Sequence, residues 1–271
     1  MPELPEVETN VRALAARLTG RRITALEQRR PDLRFPLPER LAERLLGRRV
    51  QAVGRRAKYI LAALDDDRTL LLHLGMSGRL LFDRPPAGPH EHLTFGFDDG
   101  TCLRFVDPRR FGMLDLTPTD QLEAHPRLAG LGLEPLAPSF TGEVLAAALA
   151  GRKSPLKSAL MDQRVVVGVG NIYASESLHQ ARLSPRRTAG FLRPAEAPRL
   201  AAAIRSVLNA AIAAGGSSLR DYVQTDGALG FFQDRFAVYG RAGLPCPVCA
   251  RPIEKLVQAN RATFWCRRCQ R

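Results

Sequence analysis

The chain has 271 residues, of which 45% are hydrophobic and 25% are charged. This composition allows a buried core and excludes a wholly disordered chain, and the length suits two ordinary domains or one domain with appendages. Forty Lys and Arg residues against 27 Asp and Glu residues leave a net charge of +13, which indicates a polyanionic partner, either nucleic acid or an anionic membrane.

The residue pattern argues against the membrane. No run of 18 apolar residues is present, and the acidic start of the chain differs from the basic start of a signal peptide. We therefore expect a nucleic-acid partner, no membrane association and a cytoplasmic location.

The chain starts with an unusual chemical group. Removal of Met1, which is common before a small residue, would leave Pro2 with a free secondary amine. An α-amino group has a pKa of about 8, so part of it is nucleophilic at neutral pH, unlike lysine at about 10.4. Attack on an aldehyde carbon would give a cationic iminium, and Glu3 could move the protons. The alternative is a disordered leader whose prolines merely start a helix.

A helix is predicted next, because apolar residues recur at helical spacing until Gly20, which would end it. Its apolar face consists of Val7, Val11, Leu14 and Leu18.

From about residue 23 to residue 116 the pattern changes to short apolar or alternating runs, which predict strands of a sandwich or barrel. Asp99-Gly100 is typical of a hairpin turn. Examples of these strands are Tyr59–Leu64, Leu70–Leu74, Gly78–Phe82, Leu93–Phe97, Leu103–Val106 and Met113–Leu116.

Residues 128–138 are rich in Gly and Pro and predict a linker, after which the apolar period is helical. Gly215-Gly216 would end the last helix, and residues 217–233 carry few core signals, which suggests a mobile loop over the site. The predicted helices are Val144–Leu149, Pro155–Met161, Ile172–Gln180 and Leu200–Ala214.

Four of the five cysteines form two CxxC pairs, sixteen residues apart, at Cys246, Cys249, Cys266 and Cys269. Two thiolates on each of two tight turns predict one tetrahedral zinc ion, which is structural because no position stays open for water or substrate. Residues 237–271 also hold seven Arg or Lys residues against one acidic residue, so this module should face phosphates. The fifth, Cys102, is expected to be a buried bystander.

The opening MPELPEVET, followed in order by RRAKY, HLGMSG, DPRRFG, GVGNIYASE and the CxxC pairs, resembles the bacterial formamidopyrimidine-DNA glycosylase family. That family excises oxidised purines, notably 8-oxoguanine and formamidopyrimidines, and then cuts the DNA at the abasic site. The resemblance implies a monomeric α+β protein that binds double-stranded DNA. Its parts would be an N-terminal β-sandwich with a leading helix (1–132), a helix-two-turn-helix module (133–236) and a zinc finger (237–271).

The resemblance also implies catalytic roles. Pro2 is the Schiff-base nucleophile, assisted by Glu3 and by Glu6 beside it, and Lys58 is the proton donor. Arg261, between the two CxxC pairs, assists δ-elimination after β-elimination. Without the resemblance, Glu6 would only stabilise the helix start, Lys58 would be solvated surface, and Arg261 would be one more phosphate contact.

A damaged base inside a duplex must be flipped out before a terminal amine can reach it. By resemblance Arg109, Phe111 and Met76 fill the gap and meet the orphaned cytosine, although the two apolar residues could equally be core. The remaining family DNA contacts fall on His90, Arg152 and Asn171, with Lys157 and Tyr239 as weaker candidates.

Two of these regions allow a simpler interpretation. Asn171 is also suited to capping the helix that it begins. His92 lies close to His90 in sequence, but with no third ligand the pair is more typical of surface polar residues than of a metal site.

Two alternatives remain open. A related endonuclease removes oxidised pyrimidines, but Leu4 and the run 109–111 resemble the purine branch. A non-catalytic zinc-ribbon protein that binds DNA would explain the charge and the cysteines. It would leave Pro2, Glu3 and Lys58 unexplained.

Overall fold

The fold is described from a computed structural model that covers residues 2–83, 88–219 and 221–271. Met1, whose removal the sequence predicts, lies outside the described residues. Backbone contacts group the chain into two compact units, Met1–Ala129 with Ala214–Phe231, and Gly130–Ala213 with Phe232–Arg271. The predicted three-domain division is a finer one and stays a prediction.

The first unit starts with helix α1, Leu4–Leu18. Glu3 and Glu6 form a reciprocal capping box at its start, and Pro5 occupies the first turn, where a missing N–H costs nothing. The predicted apolar face is buried, and the helix ends just before Gly20, so this prediction is confirmed.

Two four-stranded antiparallel sheets follow, with one short helix, α2, at Leu41–Leu45. Their inward side chains and those of α1 form one apolar cluster, which confirms the predicted β-sandwich with its leading helix. In spatial order the first sheet contains β1 (Ile23–Gln28), β6 (Glu91–Phe97), β7 (Cys102–Val106) and β5 (Arg79–Phe82). The second contains β2 (Val50–Arg56), β3 (Tyr59–Leu64), β4 (Arg68–His73) and β8 (Met113–Pro118).

The segment 214–231 returns to the first unit. Ser217 and Phe231 form an antiparallel bridge, and the carbonyl of Thr225 accepts a hydrogen bond from the N–H of Phe82 at 2.9 Å. Tyr222 and Thr225 are buried. The sequence carries few core signals here because backbone hydrogen bonds and isolated buried side chains leave no periodic pattern, and the mobile loop stays a prediction.

The second unit is helical and ends in a hairpin. Its helices are α3 (Gly142–Leu149), α4 (Leu156–Met161), α5 (Asn171–Gln180) and α6 (Ala197–Ala213), and its strands are β9 (Glu254–Gln258) and β10 (Arg261–Trp265). All four helices were predicted to within three residues at each end. Within the described ranges, no helix is both long enough and apolar enough to cross a bilayer.

Candidate active site and zinc centre

The start of α1 holds three of the predicted catalytic residues. Pro2, Glu3 and Glu6 are all buried. One carboxylate oxygen of Glu6 accepts the N–H of Glu3 at 2.8 Å, and the other accepts the N–H of Ser217 at 2.8 Å. Glu6 therefore caps the helix and also attaches segment 214–231 to it.

Lys58 lies in the turn between β2 and β3 and is only 6% exposed, which excludes the alternative of a solvated surface lysine. The residue before it, Ala57, has a left-handed backbone with φ of 55°. Arg55 donates one hydrogen bond to the carbonyl of Ala57 at 2.9 Å and another to the carboxylate of Glu8 on α1 at 2.9 Å. Burial by itself would raise the pKa of Glu8, but its bonds to Arg55 and Arg12 lower it below the usual value.

His73, at the end of β4, is a neutral ring beside this turn. Burial lowers its pKa to about 4, with further lowering by the positive charges of Lys58 and Arg34. Its Nδ1 accepts the N–H of Gly75 at 2.9 Å, a bond that a protonated ring could not accept. The ring packs against Tyr59 with centroids 4.9 Å apart. His73 thus couples the Lys58 turn to the loop that follows it.

Two loops of the first unit, residues 73–78 and 107–112, are joined by Asp107, which is completely buried. One of its carboxylate oxygens accepts the hydroxyl of Ser77 at 2.6 Å, and the other accepts the N–H of Gly112 at 2.7 Å. Sequence reasoning passed over this aspartate, although its place at the head of the DPRRFG motif was a usable signal. It joins the loop of Met76 to the loop of Arg109 and Phe111. These three residues, which the sequence predicts to fill the gap left by the flipped base, are called the wedge below.

The wedge side chains themselves are accessible. The guanidinium carbon of Arg109 lies 4.9 Å from the centroid of the Phe111 ring, and Phe111 is 41% exposed. Met76, on the other loop, is half-buried. A core role for Phe111 is therefore excluded, and a cation stacked on an exposed aromatic ring is suited to insertion between bases.

Two minor expectations about neighbouring residues were wrong. His92 is buried and its Nε2 bonds the carbonyl of Asp107 at 2.9 Å, so it is a structural residue and not a surface one. Cys102 is half-buried, not fully buried. His90, in contrast, is exposed at the end of a short 3-10 turn, as a DNA contact requires.

Gly75 is required where the two loops touch. Its φ is 64°, and a Cβ there would lie 2.3 Å from the carbonyl carbon and 2.4 Å from the carbonyl oxygen of Phe111. Backbone atoms cannot rotate out of the way, so only glycine allows this approach.

We predict that Gly75→Ala destabilises the first unit more than Gly20→Ala does. Gly20 also has a positive φ, 85°, but nothing lies within 4 Å of an added Cβ. Gly20→Ala, the control, therefore loses only the free energy of placing alanine in the left-handed region, about 1–2 kcal/mol. Gly75→Ala adds to this a collision with the backbone of Phe111. Urea unfolding followed by circular dichroism measures both; equal losses would show that the loops separate easily.

In the second unit, Lys157 is only 1% exposed. Its ammonium donates to the Ala262 carbonyl at 2.9 Å, to the Thr263 hydroxyl at 2.8 Å and to the amide oxygen of Asn171. Its charge is directed at the zinc-finger hairpin and not at solvent. Asn171 is the first residue of α5 and the cap is Gly170, so the expected side-chain cap is wrong.

The other predicted DNA-contact residues of this unit, Arg152 and Tyr239, already have partners within the protein. Arg152 is half-buried and bonds Asp162 at 3.3 Å. The Tyr239 ring packs edge-on against Phe264. The backbone N–H of Tyr239 donates to the buried carboxylate of Glu176 at 2.7 Å. Glu176 also accepts the N–H groups of residues 237 and 238. Burial raises the pKa of Glu176, with these N–H donors opposing the rise.

The four paired cysteines converge as predicted. Their sulfur atoms all lie within 4.8 Å of one another, with Cys249 and Cys266 at 3.4 Å and Cys246 and Cys269 at 3.9 Å. Tetrahedral Zn–S bonds of about 2.3 Å place sulfurs about 3.8 Å apart, so the cluster fits one zinc ion. Arg261 is exposed at the start of β10, directly after the hairpin turn.

Family comparisons match these parts in the same order. The N-terminal domain of formamidopyrimidine-DNA glycosylase matches residues 1–114, its H2TH domain matches residues 131–223, and a zinc finger found in FPG and IleRS matches residues 243–271. The chain belongs to the formamidopyrimidine-DNA glycosylase family. It is a base-excision-repair glycosylase with abasic-site lyase activity, and the four-cysteine cluster of its zinc finger is consistent with one structural zinc ion.

Members of the family resemble the chain over its whole length. The formamidopyrimidine-DNA glycosylase of Beijerinckia indica is 52% identical over 288 residues, which include all of both chains. A variant of the Lactococcus lactis glycosylase bound to DNA that contains Fapy-dG is 34% identical, with a TM-score of 0.91 over 99% of each chain. The Lactococcus lactis protein bound to abasic-site DNA is also 34% identical, with a TM-score of 0.90 over 99% of each chain.

We predict that Cys249→Ser unfolds the zinc finger of this glycosylase but leaves the sandwich folded. Zinc binding supplies about 10 kcal/mol or more of folding free energy to such a module, whereas the sandwich has its own core. Trp265, the single tryptophan, is buried in β10, so its fluorescence should shift to the red. Zinc content and calorimetry complete the measurement.

Arg261→Ala is the matched control, because it removes an exposed charge on the same hairpin and no zinc ligand. It should keep its zinc and its tryptophan emission. A Cys249→Ser protein with unshifted emission and normal lesion cutting would show that the zinc finger is dispensable.

Proposed function

We propose that the protein removes 8-oxoguanine and formamidopyrimidines from double-stranded DNA through the amine of Pro2 and then cuts the strand by β- and δ-elimination. The observation that carries the proposal is the burial of Glu3, Glu6 and Lys58 in the same unit as Pro2. Buried ionisable side chains are uncommon, and they are frequent in active sites.

The reaction uses groups that this chain supplies. The Pro2 nitrogen attacks C1′ of the lesion nucleotide, the C1′–N bond breaks, and the base leaves with a proton. Opening of the sugar gives an iminium between Pro2 and C1′. Lys58 and Glu3 donate and accept the protons of these steps.

The iminium then withdraws electrons from C2′, which loses a proton. The resulting electron pair expels the 3′ phosphate, and a second elimination expels the 5′ phosphate. Arg261 lies on the exposed hairpin of the zinc finger, where its guanidinium can stabilise the second leaving phosphate. Hydrolysis of the iminium frees Pro2.

Base flipping is assigned to the wedge. Arg109 and Phe111 are stacked on one another and exposed, and Met76 lies on the adjoining loop. They would occupy the space that the lesion leaves and contact the orphaned cytosine.

Phosphate contacts fit His90 best, since it is exposed, and fit Arg152 and Asn171 less directly. Lys157 supports the hairpin instead, and Tyr239 is half-buried. A cytoplasmic location, association with the nucleoid on DNA binding and a monomeric state complete the proposal. The net charge of +13 supports the nucleoid part.

We predict that borohydride traps the protein covalently on duplex DNA containing 8-oxoguanine opposite cytosine, with the crosslink at Pro2. Reduction converts the iminium into a stable amine, so peptide mapping locates the nucleophile. Pro5→Ala is the matched control: it removes the other proline of the helix start and should still be trapped. A crosslink on a lysine would disprove the nucleophile, and no crosslink at all would favour a binding-only protein.

We also predict that Arg109→Ala impairs excision of a paired lesion more than cutting at a preformed abasic site. Flipping costs a few kcal/mol, and the abasic substrate has no base to flip. The single-turnover rates on the two duplexes measure the difference. Arg110→Ala removes the same charge one residue away and should affect both substrates similarly; equal losses for Arg109→Ala would make it a phosphate contact.

A further inference from the structure

Arg55 connects helix α1, whose start holds Pro2 and Glu3, to the turn that carries Lys58. The proposed chemistry requires these two elements to be aligned. Its side chain is only 9% exposed and forms hydrogen bonds in two directions, to Glu8 on α1 and to the carbonyl of Ala57 in the turn that carries Lys58. Because the guanidinium is a rigid planar fork, the two bonds fix the turn relative to the helix.

The turn needs such a bond. Ala57 is buried and has a φ of 55°, a region that alanine rarely adopts. Its carbonyl belongs to the peptide that leads directly into Lys58. A donor on that carbonyl therefore sets the plane from which the Lys58 side chain starts.

The other end of the connection is the helix that orders the nucleophile. Glu8 lies two residues beyond Glu6 on the same helix, and the Glu3–Glu6 capping box fixes the backbone next to Pro2. One helix thus holds Pro2 and Glu3 by its cap and Lys58 through Arg55.

We propose that Arg55, held by Glu8, is a positioning residue that aligns the Lys58 ammonium with Pro2 and Glu3 during base excision and lyase chemistry. The inference rests on the proposed roles of Pro2 and Lys58. Arg55 touches no reacting atom; it acts through the Ala57–Lys58 peptide. Misplacement of a catalytic group by about 1 Å can cost about 100-fold in rate.

Arg12 offers a matched control for Arg55, because it forms an ion pair with the same carboxylate of Glu8 at 3.0 Å. Arg12 is 63% exposed and lies on α1 itself, one turn after Glu8, so its ion pair with Glu8 stays within the helix. Arg12→Gln removes an ion pair from the same carboxylate without disturbing the connection. Arg55→Lys keeps the charge and the pairing with Glu8 but cannot bridge to the Ala57 carbonyl.

The experiment measures single-turnover excision of 8-oxoguanine, borohydride trapping on a preformed abasic site, affinity for tetrahydrofuran-containing DNA and thermal stability. Arg55→Gln and Arg55→Lys should slow both reactions about 10- to 100-fold with affinity changed less than about twofold. Arg12→Gln should match the parent. If Arg55→Gln fails to fold, Glu8→Gln weakens the same connection from the helix side and should slow the reactions in the same way.

Lys58→Gln is the reference. The double variant Arg55→Gln/Lys58→Gln should be no slower than Lys58→Gln alone, because Arg55 acts only through Lys58. Additive losses, or normal rates for Arg55→Lys and Glu8→Gln beside a slow Lys58→Gln, would overturn the inference alone. A fully active Lys58→Gln would instead overturn the proposed role of Lys58.

Discussion

The buried carboxylate of Asp107 is the interaction on which the DNA-facing loops depend. A fully buried charge is strongly unfavourable unless donors surround it, and here Ser77 and Gly112 donate from the two loops while Arg109 adds its own N–H at 3.3 Å. The same residue bonds His92 through its carbonyl. This one group therefore specifies how the backbones of the two loops meet.

At the start of α1, buried carboxylates also fix the backbone, here beside the proposed nucleophile Pro2. A nucleophile at a chain terminus would lose its alignment if the terminus frayed, which is the usual behaviour of terminal residues. The capping box between Glu3 and Glu6 prevents fraying, and the second oxygen of Glu6 brings in Ser217 from more than 200 residues away. In the proposed mechanism the carboxylates that stabilise the helix start also serve the chemistry, and Glu6 holds both the helix start and Ser217.

In the proposed mechanism the zinc finger serves the reaction by presenting Arg261 and not by metal chemistry. The four sulfurs hold the ends of a hairpin that presents Arg261, and Lys157 supports that hairpin from the helical part of the same unit. A buried ammonium with three acceptors carries little free charge for phosphate. Its value lies in fixing an exposed arginine on an element too small to fold without help.

The sequence by itself determined the five longer helices, most of the strands and the zinc ligands, because these follow from periodicity and spacing over a few residues. It did not predict the short helix α2. It placed the start of the strand pattern near residue 23 but gave no bounds for β1 and β2, which are edge strands with mostly accessible side chains. Only the tertiary structure decided which polar residues are buried. Lys58, Lys157 and His92 all resembled surface residues, because burial of a polar group depends on partners distant in sequence. The return of segment 214–231 to the first unit was hidden for the same reason, since backbone hydrogen bonds are available to every residue and carry no sequence signal.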